Sequence, residues 1–245
     1  MTRTARGALA ALSMVLSAIT LAEPAAAGSD DGKFQIKVLG TVVNPDTDAT
    51  VRAGGAVIPG ADADVSTEVI PALTLGYYFT KNLSAELFCC FAKHSIDGKG
   101  SIANLGEIAD TWIFPPALTL QYHFTGMGKW QPYVGAGVQY INFFDTGTGI
   151  NRLGASSVSI DDAWGFTLQG GIDVGLGNGW SLNFDVKKTW LDTTVTWHNN
   201  AALGGLNVVG DAELDPWIFS AGVGYRFNLG DIFGHHAEAA PVPIK

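Results

Sequence analysis

Ionisable side chains that could bind ions or exchange protons are few in this chain, and they recur at alternate positions. Asp, Glu, Lys and Arg make up 15% of the 245 residues, against about 25% in an ordinary soluble domain. Seven ionisable residues share one side of an alternating pattern with small and polar neighbours: Lys37, Glu86, His123, Asp173, Asp185, Lys187 and Arg226. Since buried charges must be paired, this pattern predicts a structural network that closes the interior. The alternative is a set that selects solutes, with His123 as a proton-sensitive gate.

Catalysis would need a nucleophile beside a base, and the candidates are weak. The sequence contains no G-x-S-x-G nucleophile elbow and no His/Cys cluster with zinc spacing. Ser156, Ser157, His94 and His198 lie in or near Ser- and Asn-rich segments whose composition is explained by solvation alone. We therefore expect no enzymatic activity, no metal and no cofactor.

The composition excludes further classes of protein. With 14 Lys and Arg against 23 Asp and Glu, the net charge of −9 would repel the phosphates of nucleic acid. Cys89 and Cys90 are neighbours in a strand-like run, where a disulfide between them is geometrically poor. Beyond the first residues no stretch approaches 18 consecutive apolar residues, which excludes an α-helical membrane protein.

The first 27 residues are typical of a secretory signal peptide. Arg3 and Arg6 precede an apolar run over 8–21, and three alanines at 25–27 supply a cleavage pattern. The run is shorter than the roughly 20 apolar residues of a spanning helix, so a membrane anchor is the weaker alternative. We expect residues 1–27 to be removed on export.

Alternation of period two dominates the rest of the chain and predicts eight amphipathic strands. In the last of them, Trp217, Phe219 and Val223 share an apolar face, whereas Ser220 and Gly222 share the other. The connections alternate in length: three are tight turns (80–82, 125–129 and 177–179), and four are long, polar and rich in Gly, Ala and Asn (44–65, 95–110, 145–161 and 193–212). Short periplasmic turns and long external loops are typical of outer-membrane barrels. The pattern predicts an all-β fold, an eight-stranded antiparallel transmembrane β-barrel.

Alternation alone does not say which face points outward, so a soluble barrel with an apolar pocket is an alternative. Two features favour the membrane. The polar face is rich in glycine and poor in charge, which suits a narrow interior better than a wet surface. Aromatic residues cluster beside the short turns as in an interfacial girdle: Tyr77, Phe79, Tyr122, Phe124, Trp130, Trp180, Tyr225 and Phe227.

Several motifs carry a more specific resemblance. They are P-Y-V-G-A-G at 132–137 with Tyr140, F-F-D at 143–145, W-G at 164–165, L-D-P-W-I-F at 214–219 and the terminal G-Y-R-F at 224–227. Together with P-P-A-L at 115–118, they resemble the OmpW family of outer-membrane proteins over residues 33–227. The resemblance implies a narrow, largely apolar channel through which small hydrophobic molecules pass before leaving sideways into the bilayer.

The chain departs from that family at two places. Phe88 matches an apolar position of the family's constriction, but Lys187 stands where relatives can carry an aromatic residue, which puts a dry gate in doubt. Phe227 resembles the terminal aromatic residue used in barrel assembly, yet 18 residues follow it. We expect residues 28–227 to form the barrel and residues 228–245 to form a disordered periplasmic tail, with a metal- or partner-binding tag as the lesser alternative.

The sequence thus predicts passive uptake of small hydrophobic molecules across the outer membrane. Phe88 and Gln139 join the ionisable set as expected lining or gate residues. Val57, Ile58, Leu105 and Ile108 would line an external funnel or, equally, pack against one another to order the loops. Expected partners are outer-membrane lipid and lipopolysaccharide, the solutes, and the barrel-assembly machinery, but not nucleic acid. The rival function is a plugged barrel that displays its loops for adhesion or partner binding.

Overall fold

The computed structural model describes residues 30–232. The predicted signal peptide and most of the predicted tail lie outside this range. Fifteen strands occur within it: β1 (Phe34–Asn44), β2 (Asp48–Ala53), β3 (Ala56–Val57), β4 (Ala61–Val65), β5 (Glu68–Tyr78), β6 (Leu83–Cys90), β7 (Ala92–Gly100), β8 (Glu107–Phe114), β9 (Ala117–His123), β10 (Trp130–Gly147), β11 (Ser157–Ile160), β12 (Ala163–Gly177), β13 (Trp180–Asn200), β14 (Leu206–Glu213) and β15 (Trp217–Phe227). Short 3₁₀ turns occupy Ala103–Leu105 and Ala201–Leu203, and a helical turn, α1 (Leu229–Ile232), follows β15. No helix in the described range is long and apolar enough to cross a membrane.

Eight of these strands close into an antiparallel ring. The order around the ring is β1, β5, β6, β9, β10, β12, β13 and β15, and β15 returns to pair with β1. A closed ring leaves no unpaired edge, which is the condition for a β-structure in hydrocarbon. The eight-stranded fold predicted from alternation is confirmed.

The orientation of the two strand faces is also as predicted. Leu120, Phe184 and Phe219 point outward and are about half exposed, whereas Gln169 and Asn183 are buried inside the ring. The apolar faces of the strands therefore form the outer wall, and the polar, glycine-rich faces fill the interior.

The four long connections contain strands and are not loops throughout, which corrects the sequence interpretation. They fold into two small sheets above the ring: outer sheet I contains β3, β2, β14, the end of β13 and β11, and outer sheet II contains β4, β7, β8 and the end of β10. Alanine supplies many of their inward positions, such as Ala49, Ala61 and Ala63. Because alanine and glycine have low strand propensity, these segments look like loops in the sequence.

The two outer sheets meet along two seams where no strand ladder is described. Across one seam, the Asp62 carboxylate of β4 accepts a hydrogen bond from the Ala49 amide of β2 at 3.0 Å. At the base of the other seam, the Asp162 carboxylate accepts hydrogen bonds from the Asn142 side chain at 3.0 Å and the Phe143 amide at 3.2 Å. A carboxylate therefore accepts backbone hydrogen bonds at each seam.

Two prolines interrupt the wall where the ring meets outer sheet II. Pro115 and Pro116 separate β8 from β9, which alternation predicts as one strand. The ladder between β6 and β9 stops at Phe88 and Ala117, and the ladder between β7 and β8 starts at Ala92 and Ile113. Prolines have no backbone N–H to donate, so the two prolines account for this interruption of the strand ladders.

The residues expected to form an aromatic girdle lie on the outer wall of the ring, with Phe227 as the exception. Tyr77, Phe79, Tyr122, Phe124 and Trp130 are exposed on the outer wall, and Trp180 and Tyr225 are half-buried with their rings in contact. Phe227 is instead buried, because the chain at Gly32 crosses its backbone and Phe34 stacks on its ring at 5.9 Å.

Candidate functional site

The lower interior of the ring is closed by five charged residues, which we call the charged plug: Lys37, Glu86, Asp173, Asp185 and Lys187. The Lys37 ammonium lies 2.9 Å from Glu86 Oε2 and 3.9 Å from Asp173 Oδ2. The Lys187 ammonium lies 2.5 Å from Asp185 Oδ1 and 3.5 Å from Glu86 Oε1. All five side chains are buried. Each cation thus meets two carboxylates, and Glu86 joins the two halves.

Neutral side chains donate hydrogen bonds to all three carboxylates, although Asp173 Oδ2 has no hydrogen-bond partner among the described residues. The Gln169 amide donates to Glu86 at 2.9 Å and to Asp185 at 2.7 Å. The Tyr133 hydroxyl also donates to Asp185 at 2.7 Å, and the Asn183 amide donates to Asp173 at 2.9 Å. These contacts tie β10, β12 and β13 to β6, so the plug is held from several sides of the ring.

A second polar layer lies beside the plug. The Nε2 atom of His123 forms hydrogen bonds with Ser84 Oγ at 2.9 Å and Gln121 Oε1 at 3.2 Å. The imidazole ring lies between Tyr78 and Tyr133, 5.0 Å from each ring centre. The Arg226 guanidinium stacks over the ring of Tyr78, 3.6 Å from the ring centre. With Arg226, the interior holds three cations and three carboxylates.

Above the plug lies an apolar cavity of about 250 Å³ enclosed largely by the outer sheets. Ala63 and Ile96 of outer sheet II face Val51, Val195 and Val208 of outer sheet I across it. The indole of Trp197, on β13, donates to the Ile108 carbonyl of β8 at 2.8 Å and so bridges the two outer sheets. We call this space the apolar cavity.

The floor of the apolar cavity is made by Phe88, Cys90, Gln139 and Ile218. The Gln139 side chain is satisfied: its Oε1 accepts from Thr189 Oγ1 at 2.6 Å, and its amide donates to the Pro115 carbonyl at 3.4 Å. Gln139 therefore offers the cavity little free hydrogen-bonding capacity.

The structure brings the predicted interior residues together. Lys37, Glu86, Asp173, Asp185 and Lys187 form the plug, so the predicted network is observed as a set of direct contacts. His123 and Arg226 lie in the adjoining layer, and Phe88 and Gln139 form the floor.

Three of the four residues expected in an external funnel lie at the apolar cavity. Ile58, Leu105 and Ile108 line it and also pack against the surrounding core. Val57 does not line it: this residue is 55% exposed on the short strand β3. Alternation explains the difference, because Val57 and Ile58 are adjacent and point to opposite sides.

Sequence reasoning missed several cavity residues. Cys90 forms part of the floor, and Val195 and Trp197 form part of the wall. The continued alternation Val43, Pro45, Thr47, Ala49 and Val51 also lines the cavity, and extending the strand pattern past Asn44 would have identified it. Polar neighbours and Pro45 concealed this continuation.

Comparison with known proteins agrees with the architecture. A model of the OmpW family matches residues 30–227. Outer membrane protein W of Vibrio cholerae is 35% identical over 197 residues, covering 74% of this chain and 88% of that protein. Outer membrane protein AlkL of Ectopseudomonas oleovorans is 33% identical over 178 residues, covering 72% and 74%.

Among solved structures, the crystal structure of the outer membrane protein OprG from Pseudomonas aeruginosa superposes with a TM-score of 0.76 at 33% identity. The match covers 82% of this chain and 98% of that chain. The ring of eight strands, the apolar outer wall and these similarities lead to one conclusion: the chain belongs to the OmpW family and is a β-barrel of the outer membrane.

Proposed function

We propose that this protein takes up small hydrophobic molecules across the outer membrane without a chemical step. A solute enters the apolar cavity from outside, stops at the charged plug and leaves sideways into the bilayer. The observation that carries the proposal is the position of the cavity, whose lining is predominantly apolar and which ends above a buried ion-pair network.

Solvation drives the first step. A hydrophobic solute leaving water gains about 25 cal/mol for each Å² of apolar surface that it buries. Cavity-lining polar groups such as His94 and Thr193 already have backbone partners: His94 Nδ1 contacts the Ser66 carbonyl at 2.8 Å, and the Thr193 hydroxyl donates to the Asp161 carbonyl at 2.6 Å. Such walls favour apolar surface over water.

The charged plug disfavours a straight path to the periplasm. To pass it, an apolar solute would have to separate Lys187 from Asp185 or Lys37 from Glu86, and breaking a buried pair costs about 3–5 kcal/mol. For the same reason, broad porin-like conduction is not part of the proposal.

A sideways route is supported by the proline gap in the wall. Pro115 lines the apolar cavity at its floor, level with the end of the ladder between β6 and β9. On the β10 side, the Tyr140 amide still donates to the Pro116 carbonyl at 2.9 Å. Outside this gap the rings of Phe91 and Phe114 stack at 4.9 Å, and Phe144 meets Phe91 edge-on. Side-chain movement there, rather than strand separation, would connect the cavity with lipid.

The proposal includes three partners. Lipopolysaccharide surrounds the outer end of the barrel, small hydrophobic solutes occupy the cavity, and the barrel-assembly machinery inserts the chain. The solute is bound and released unchanged, so no catalytic residue or cofactor is assigned.

The test is to fill the cavity and measure uptake. Ala63→Phe places a phenyl ring in the cavity wall, whereas Ala56→Phe makes the same chemical change at an exposed position. Naphthalene is a suitable probe, and its rate of appearance inside vesicles with a lipopolysaccharide outer leaflet can be followed by fluorescence. We expect wild type and Ala56→Phe to raise the rate and Ala63→Phe to return it to that of protein-free vesicles.

Folding of each variant is checked by the heat-dependent shift in gel mobility that barrels show. Equal rates with wild type and with protein-free vesicles would contradict uptake. That result would favour the rival function, a plugged barrel that displays its outer sheets to a partner.

A further inference from the structure

One polar residue interrupts an apolar row in the cavity wall. Val43, Pro45, Thr47, Ala49 and Val51 follow one another at alternate positions from the end of β1 into β2, and all five line the apolar cavity. Thr47 is the only one of the five with a hydrogen-bonding side chain.

The Thr47 hydroxyl is buried and has no hydrogen-bond partner among the described residues. Other threonines of the same wall differ: Thr193 Oγ1 donates to the Asp161 carbonyl at 2.6 Å, and Thr111 Oγ1 lies 3.0 Å from Thr146 Oγ1. A buried hydroxyl without a partner is destabilising, so a wall with only a structural role would favour valine here.

No hydrogen bond to the rest of the described chain holds the Thr47 side chain in one rotamer. Rotation by about 120° about its Cα–Cβ bond would place the hydroxyl at the staggered position where the methyl group now lies. A solute atom that bonds the hydroxyl would therefore also remove the unfavourable burial of an unpaired group.

The size of the cavity limits the solute. An apolar cavity of about 150 Å³ holds a benzene molecule, so by proportion the 250 Å³ here accommodate roughly ten carbon atoms. Resting on the proposed function, we propose that the preferred occupant is a hydrocarbon of this size with one hydroxyl or carbonyl oxygen, which Thr47 binds by a hydrogen bond. Thr47 then determines specificity for singly oxygenated solutes over plain hydrocarbons.

The experiment compares naphthalene with 2-naphthol, which share ten carbon atoms and differ by one hydroxyl. Cys90 in the cavity floor reports occupancy, because a bound solute slows its alkylation by N-ethylmaleimide. Cys89, on the neighbouring strand position, is replaced by alanine so that one thiol remains. Full-length protein in lipid nanodiscs is used, and the concentration of each solute that halves the labelling rate is measured.

Four versions are compared in the Cys89→Ala background: unchanged, Thr47→Val, Thr47→Ser and Thr50→Val. Thr50 is exposed on the opposite face of β2 and makes the matched control. We expect Thr47→Val to weaken protection by 2-naphthol about tenfold and to leave protection by naphthalene unchanged. Thr47→Ser, which keeps the hydroxyl, should retain protection by 2-naphthol, and Thr50→Val should behave like the unchanged protein.

The experiment gives different results if this inference fails and if the proposed function fails. If Thr47→Val changes protection by both solutes equally, or by neither, Thr47 does not select oxygenated solutes and the inference is overturned while solute binding stands. If naphthalene gives no protection even in the unchanged protein, the cavity does not take hydrophobic solutes and both proposals are overturned.

Discussion

The Lys187 ammonium lies 4.9 Å from the centre of the Phe88 ring, and this contact marks the boundary between the charged plug and the apolar cavity. Phe88 lines the cavity, but Lys187 does not. The lysine therefore does not contribute its charge to the cavity wall: its ammonium is directed toward Asp185 and Glu86, and the Phe88 ring lies over it.

Removing this cation should destabilise the barrel. Lys187→Met leaves Asp185 and Glu86 buried with one cation fewer, and we expect a loss of about 3–5 kcal/mol in the free energy of unfolding. Urea unfolding followed by tryptophan fluorescence measures it. The control is Lys99→Met, which removes the partner of Asp64 in an exposed pair and should cost less than about 1 kcal/mol. Equal effects of the two substitutions would show that the plug is not a stabilising network.

Close packing of Tyr133 against Gly171 yields a second prediction. A Cβ atom at Gly171 would come within 2.5 Å of the Tyr133 hydroxyl and 2.6 Å of the Phe184 carbonyl. Gly171→Ala should therefore displace the tyrosine that donates to Asp185 and lower stability by about 1–3 kcal/mol. Gly170→Ala is the matched control, since nothing lies within 4 Å of its added Cβ. If Gly171→Ala and Gly170→Ala lower the midpoint of unfolding by the same amount, this explanation is contradicted.

The seam between β2 and β4 should control access to the cavity. Asp62→Ala removes the carboxylate that accepts from the Ala49 amide, and we expect Cys90 to be alkylated about three- to tenfold faster, the change that corresponds to one hydrogen bond. Asp62→Asn keeps an acceptor oxygen and should label at nearly the original rate. If Asp62→Ala labels no faster than wild type, solutes reach the cavity by another path.

Acid should destabilise the outer sheets through His94, which lies on β7 in outer sheet II. Burial lowers the pKa of His94, although the Ser66 carbonyl and Glu68 oppose this effect. The unfolded chain binds a proton first as the pH falls below about 6.5, so the contribution of His94 to stability is complete above that pH and is lost below it. The measurement is the rate at which proteinase K cleaves the outer strands. We expect the ratio of the wild-type rate to the His94→Gln rate to be higher at pH 5 than at pH 7.5. An unchanged ratio would exclude His94 as the cause.

Alternation along single strands predicted the barrel and the direction of its side chains. Successive residues of a strand point to opposite faces, so every second residue lies inside. Phe88, Lys187 and Asp185 were placed inside in this way. Pairing was not predictable: Lys37 meets Glu86 across 49 positions, and that contact depends on the register of β1, β5 and β6. The outer sheets were missed because alanine, glycine and asparagine carry little strand signal, and with them the position of Thr47 in the cavity wall was missed too.

The apolar cavity is built mostly by strands above the ring, whereas the ring and its charged plug lie below it. If the cavity binds solutes as proposed, substitutions in the outer strands would alter which solute is accepted while the ring that inserts into the membrane stays the same. New solute preferences would then arise by changes in the outer sheets on an unchanged ring.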